Sequence, residues 1–216
     1  MSPDFFTEAF QDDRLLWFLN RGTGVILLVL MTGSVCLGVL STVRASSVFW
    51  PRFVTQQLHR NLSLLSVALL IAHAALAVID EFVNIRWWDV LIPFLGEYEP
   101  LWLGLGTLST DLVIVTVLTG LSRTRFRSRT WRAIHLTSYL GWAAGLVHGF
   151  GIGTDSRETW SVGISVACVG LVAGAIAVRL STLGQEKQLE RRSESRRPTG
   201  SGYEPAQSRR SRRRNR

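Results

Sequence analysis

The stretch LHRNLSLLSVALLIAH, residues 58–73, decides the fold. It runs from His59 to His73 through residues that are nearly all apolar or small. A helix needs roughly 20 such residues to cross a hydrocarbon core, so this stretch reads as most of one crossing with an imidazole at each end. Ionisable side chains at membrane depth are costly to desolvate and usually face the interior of a bundle, where they serve a site.

The rest of the chain supports a membrane setting. It has 216 residues, 47% of them hydrophobic, 8 tryptophans and 24 Lys and Arg, and its mean hydropathy is +0.20. Apolar and basic residues are segregated: apolar runs fill residues 15–180, and the following segment carries Lys187, Arg191, Arg192, Arg196, Arg197 and the terminal RRSRRRNR. Five windows, near 15–41, 59–80, 101–121, 131–151 and 159–180, are long and apolar enough to span. The expected fold is an all-α integral membrane protein, a bundle of about five transmembrane helices. An extracytoplasmic segment, 1–14, precedes it and a disordered basic cytoplasmic tail, 181–216, follows.

Arginine placement sets the orientation, because cytoplasmic segments retain positive charge. Segment 42–58 holds Arg44 and Arg52, and 122–132 holds Arg123, Arg125, Arg127, Arg129 and Arg132; both read as inside. The N-terminal segment (Asp4, Glu8, Asp12 and Asp13 against Arg14), 81–100 (Glu81, Asp89, Glu97 and Glu99 against Arg86) and 152–158 read as outside. This arrangement predicts a multi-pass plasma-membrane protein with its N-terminus outside and its C-terminus in the cytoplasm. The acidic N-terminus does not resemble a cleaved signal peptide. Cys36 and Cys168 fall within spans and read as small apolar residues.

The chain has 4 histidines, His59, His73, His135 and His148, two in the second span and two in the fourth. Both helices run from the inner to the outer face, so each offers one inner and one outer imidazole. The pairs are separated by 14 and 13 residues, about 20 Å along a helix at about 1.5 Å per residue. Zinc held by one helix needs histidines at i and i+4; this spacing instead lets His59 face His135 and His73 face His148. Two planar cofactors, each with two axial imidazoles, fit that arrangement. The phase is imperfect: 14 residues return near the same helical face and 13 do not. Gly141 and Gly145, between the histidines of the fourth span, are expected to permit a local departure.

The motifs HRNLSLL with the later Ile71-Ala72-His73, and WRAIHLTSYLGWAAGLVHG at 131–149, resemble ferric reductase-like transmembrane domains. That family includes the membrane part of NADPH oxidases, ferric-chelate reductases and the heme-binding subunit of the periplasmic methionine sulfoxide reductase system. The resemblance covers residues 15–180. It implies two heme b groups, the inner one ligated by His59 and His135 and the outer one by His73 and His148. It also implies transmembrane electron transfer from a cytoplasmic-side donor to an extracytoplasmic acceptor. Gly24 and Gly38 of the first span, again 14 apart, would let a porphyrin approach the backbone, or serve plain helix packing. Arg60 and Arg132 are candidates for the inner heme propionates and Arg21 for the outer.

Members with their own FAD and NADPH domains carry them after the membrane part, and the residues beyond the last span here leave no room for either. The expected donor is therefore a separate flavoprotein or a quinol, and the enzymatic label stays open. The acceptor classes to consider are a ferric chelate, an extracytoplasmic flavoprotein, a methionine sulfoxide reductase partner and oxygen. Asp111, in LGTLSTDLVIVTVL, is a proton or polar site, a partner for an Arg such as Arg21, or a structural hydrogen-bonding residue beside Ser109 and Thr110. The aromatic segment RWWDVLIPFLGEYEPLW suits an element lying at the headgroup level, and GFGIGTDS, 149–156, adjoins the outer histidine. The basic tail is expected to lie on anionic lipid, not nucleic acid. Two alternatives remain: the membrane anchor cytochrome b subunit of a quinol-linked respiratory complex, and a heme-free protein whose histidines and Asp111 form a proton path.

Overall fold

The computed structural model describes residues 13–42, 51–80 and 83–195. Asp4, Glu8, Asp12, Arg44, Glu81 and the tail from residue 196 lie outside the described residues. Among the described residues there are six α-helices and no strand: α1 Asp13–Leu40, α2 Arg52–Ile79, α3 Trp87–Leu91, α4 Pro100–Leu121, α5 Ser128–Ile152 and α6 Thr159–Ser195. A 3-10 turn, Arg123–Arg125, follows α4. Helices satisfy every backbone N–H and C=O within the segment, which a bilayer interior demands. Proline marks two of the starts: Pro51 is extended just before α2, and Pro100 is the first residue of α4, where its missing N–H costs no bond.

Four helices are long and apolar enough to cross a membrane: Leu15–Leu40, Phe53–Ile79, Pro100–Leu121 and Thr159–Gln185. The fourth expected span, 131–151, is a helix too, of 25 residues, but Arg129, Arg132, His135, Thr137, Ser138 and His148 make it less apolar than the other four. Two boundaries differ from expectation. α2 begins at Arg52, a full two turns before the apolar run does, because polar residues such as Gln56 and Gln57 are good helix formers. α6 continues to Ser195, so residues 181–195 are helical where a disordered tail was expected; their Gln, Glu, Lys and Leu content favours helix. The chain divides into two compact units, Met1–Arg179 and Leu180–Arg216, and all four histidines belong to the first.

Within that unit α1 packs on α2 and α4 on α5, with α1 also against α5 and α2 against α4. Each hairpin is antiparallel: Gly24 of α1 lies by His73 of α2, and Gly38 by His59. Leu27, Leu70 and Val113 form one buried cluster across α1, α2 and α4. A second joins Trp142 of α5 to Cys168 and Val172 of α6, with Leu28, Met31, Val35 and Cys36 of α1 packed against it. Both cysteines are free and act as small apolar side chains in that cluster. The outer surface of the bundle is apolar, with Ile71, Leu140, Val166 and Leu171 each more than 60% exposed. Water would oppose such a surface, whereas lipid tails match it.

Short α3 stands in the aromatic segment between α2 and α4. Its Asp89 is buried and accepts a hydrogen bond from the Arg86 backbone N–H at 2.9 Å, while Thr107 of α4 donates to the Asp89 carbonyl at 2.8 Å. Trp87, Trp88 and Leu91 remain exposed. Phe94 follows with φ 65°, and its ring occupies the space where a Cβ on Gly104 would sit, 2.2 Å away. Gly104 thus allows this segment to lie directly on the first turns of α4.

Candidate functional site

The four histidines meet in two pairs. His59 and His135 have ring centroids 6.0 Å apart at an interplanar angle of 73°; His73 and His148 are 6.5 Å apart at 87°. One iron bound between two imidazoles would separate their centroids by about 6 Å, from two metal–nitrogen bonds of about 2 Å and two half-rings of about 1 Å. Both gaps are close to that width. Among the described residues no group of three or more His, Cys, Asp or Glu side chains is arranged to hold a metal; the imidazoles meet as two pairs.

Hydrogen bonds fix which nitrogen each ring presents. Nδ1–H of His59 donates to the Ser34 carbonyl at 2.8 Å, that of His73 to the Asn20 carbonyl at 3.1 Å, and that of His148 to the Trp102 carbonyl at 2.8 Å. A carbonyl only accepts, so Nδ1 carries the proton in all three and Nε2 keeps its lone pair free for a ligand. The acceptors obey a rule. Each carbonyl sits four residues before a glycine on the facing helix: Asn20 before Gly24, Ser34 before Gly38, Trp102 before Gly106. A Cβ on those glycines would stand 3.3 Å from His73, 3.3 Å from His59 and 2.6 Å from His148. Without it the imidazole lies flat on the helix and reaches the carbonyl of the preceding turn, whose second lone pair is still available.

Gly106 escaped the sequence reading, although a signal existed: Gly106 and Gly120 of α4 repeat the 14-residue spacing of Gly24 and Gly38. The carbonyl partners had none, since backbone acceptors carry no side-chain signature. Gly141 and Gly145 act otherwise than expected. A Cβ on Gly145 would stand 2.9 Å from the Ser109 hydroxyl, and Ser109 donates to the Gly141 carbonyl at 2.7 Å. These glycines bring α5 close to α4, and α5 runs unbroken through them.

The His73–His148 pair lies in a cavity of ≈ 320 Å³ lined by Gly24, His73, Gly106, His148, Arg21 and other residues from α1, α2, α4 and α5. Gly149, Gly153 and Thr154 of the GFGIGTDS stretch contribute to its wall. Arg21 binds Asp155 at 2.6 Å, its guanidinium stands 4.5 Å over the Trp17 ring, and its Nη1 is buried with no partner. A cation with a spare donor beside the cavity suits an anionic group inside it. Asp155, a partner the sequence had not singled out, replaces Asp111 as the candidate mate of Arg21. Asp111 is half-buried on α4 with no hydrogen bond or ion pair among the described residues. Its neighbours are engaged elsewhere: Thr110 donates to the Gly106 carbonyl and Ser109 to Gly141, so the expected local hydrogen-bonding role is not seen.

Arg60 and Arg132 are exposed, beside His59 on α2 and three residues before His135 on α5. At the His59–His135 pair, His135 stacks on Trp131 at 4.8 Å and 18°, and the Arg123 guanidinium lies over Trp131, 4.7 Å from its ring centroid. Midway between the pairs the Trp142 indole donates to the Thr32 hydroxyl at 2.9 Å, both residues buried. That bond pins α5 to α1 in the space separating the two sites.

The chain belongs to the family described as Domain of unknown function (DUF8596), whose model matches residues 15–155. The match runs from the start of α1 past the last histidine and ends at Asp155, the partner of Arg21. No curated protein and no solved structure matches the chain.

Proposed function

We propose that this member of the DUF8596 family is a five-span cytochrome of the ferric reductase-like kind, holding two b-type hemes and conducting electrons across a cell membrane. The donor is on the cytoplasmic side and the acceptor at the outer face, with the N-terminus outside and α5 as the fifth crossing. The observation that carries the reading is the imidazole geometry. Two facing pairs, 6.0 and 6.5 Å between ring centroids, have three of four rings locked as Nδ1–H tautomers by backbone carbonyls. A proton path has no use for such fixed pairs, and Asp111 is not among the residues lining the cavity that holds His73 and His148.

When bound, heme supplies a one-electron carrier at each of two depths. The chain does the rest. His59 with His135 would hold one heme and His73 with His148 the other, and with both imidazoles of each pair engaged an acceptor would take its electron without binding the iron. Arg21, held by Asp155 and Trp17, offers Nη1 to a carboxylate at the outer site, and Arg60 and Arg132 stand ready at the inner one. Gly24, Gly38 and Gly106 keep the helices clear of the rings, and Trp142 with Thr32 fills the space between.

The donor to the inner pair is a separate flavoprotein or a quinol. An apolar groove of ≈ 330 Å³ lined by Trp102, Val147, Val166 and Val169 shares Leu146, Phe150 and Ser165 with the cavity of His73 and His148 and so belongs to the acceptor side.

The test is a reduced-minus-oxidised absorption spectrum of the purified chain with pyridine hemochrome quantitation. Two b-type hemes per chain are expected. His73→Ala should remove the outer heme and spare the inner, and His59→Ala should do the reverse. A well-folded preparation without heme, or spectra identical in both variants and wild type, would overturn the reading.

A further inference from the structure

Three histidines follow the glycine rule and the fourth does not. By the antiparallel pairing of α4 with α5, Gly106 lies by His148, and Gly120 stands at the level of His135 one repeat further in. Yet a Cβ on Gly120 would meet nothing within 4 Å, and Nδ1 of His135 is buried with no partner. The carbonyl four residues before Gly120 belongs to Thr116, and among the described residues no hydrogen bond joins it to a histidine.

Spacing explains the exception. Along α1 and α4 the glycines are 14 residues apart, and along α2 the histidines are also 14 apart, so both elements of the α1–α2 hairpin rotate together, by about 40° short of full turns on an ideal helix. Along α5 the histidines are 13 apart, which leaves His135 about 140° away from the face of His148. It cannot lie on Gly120 as His148 lies on Gly106. It lies instead on Trp131, one turn earlier on its own helix, parallel to within 18° at 4.8 Å. The Arg123 guanidinium, 4.7 Å from the Trp131 centroid, completes a cation–indole–imidazole series. A guanidinium near an indole face is attracted by the ring quadrupole, and offset-stacked rings add to burial.

We infer that Trp131, held by Arg123, is the positioning residue of the inner ligand His135, taking the place of the glycine and carbonyl that position the other three. This rests on the two-heme reading above. Trp131 holds the plane of the ring by stacking, so its aromatic face matters more than its N–H. The His135 ring, lacking a carbonyl acceptor, is the least electron-rich of the four ligands, since such a bond raises the basicity of an imidazole.

Full-length Trp131→Leu and Trp131→Phe chains test this by heme stoichiometry, redox titration and low-temperature EPR. Wild type carrying two hemes is the precondition, and its failure sinks the two-heme reading instead. Trp131→Leu should lose the inner heme, falling from two to one per chain with the outer EPR signal unchanged, while Trp131→Phe should keep both and the wild-type inner signal. Two hemes and an unshifted inner potential and signal in Trp131→Leu would overturn the inference, as would loss of the inner heme in Trp131→Phe. Should Trp131→Leu lose both hemes through misfolding, Arg123→Gln and Arg123→Lys decide: an altered inner EPR signal in Arg123→Gln that Arg123→Lys restores supports the role, and an unaltered inner signal in Arg123→Gln overturns it.

Discussion

The two ends of the bundle solve one problem differently. At the outer pair both imidazoles lie on glycines and donate to carbonyls of the facing helix, inside a cavity with a paired arginine at its edge. At the inner pair only His59 is held in that way, and His135 leans on an aromatic ring of its own helix. The contrast shows that a shared spacing across a hairpin, 14 residues on both of its helices, is what allows one device to be used twice. Where the spacing slips by a single residue, the second site must be built from other parts.

The sharpest break in that comparison is at the α4 glycines. Gly106→Ala places a methyl 2.6 Å from the His148 ring; on the proposed two-heme reading, outer heme affinity should fall about 10- to 100-fold, the range seen when the support of a metal ligand is lost. Gly120→Ala meets open space and should leave both hemes bound while stabilising α4 by up to about 1 kcal/mol through helix propensity. Hemochrome titration of the two variants reads the heme loss and thermal unfolding reads the gain in stability, and equal heme losses at both positions would remove the distinction between the ends. Thr32→Val has a smaller effect. It leaves the buried Trp142 N–H without its acceptor and should cost about 1–3 kcal/mol, read as a lower thermal midpoint of the holoprotein with both sites affected alike. A change confined to one heme would show that Trp142 belongs to that site.

The smallest effect is a pH dependence confined to the outer end. The Arg86 backbone N–H, and then its guanidinium, hold the Asp89 carboxyl below its ordinary value of 3.8. The folded chain thus favours the ionised form, and the stability this lends is present above that value and lost as pH falls through the lowered one. Amide exchange in α3 should quicken below about pH 4, with the inner histidine pair unaffected and Asp89→Asn showing fast exchange already at neutral pH.

Much of this arrangement was legible beforehand. The apolar runs placed the helices to within a few residues, apart from the polar extensions of α2 and α6, where helix propensity and not hydropathy carries the chain. The histidines stood out because four imidazoles on two largely apolar helices are costly to place without a role. Gly24 and Gly38 were visible through the matching interval. Gly106 carries the same interval with Gly120, whereas Asp155 is, in sequence, one loop charge among several. The mate of Arg21 could not be read from spacing, because a loop aspartate and a helix aspartate are equally reachable until the chain is folded.

Residue type and interval by themselves determined the helices, the four imidazoles and their separation along each helix, since these follow from the cost of lipid burial and the fixed rise of the α-helix. Only the tertiary structure decided which nitrogen each ring presents, that the glycines lie beneath those rings, and that His135 rests on Trp131. Those outcomes depend on the rotation of one helix against another, and a difference of one residue in spacing turns a side chain through about 100°.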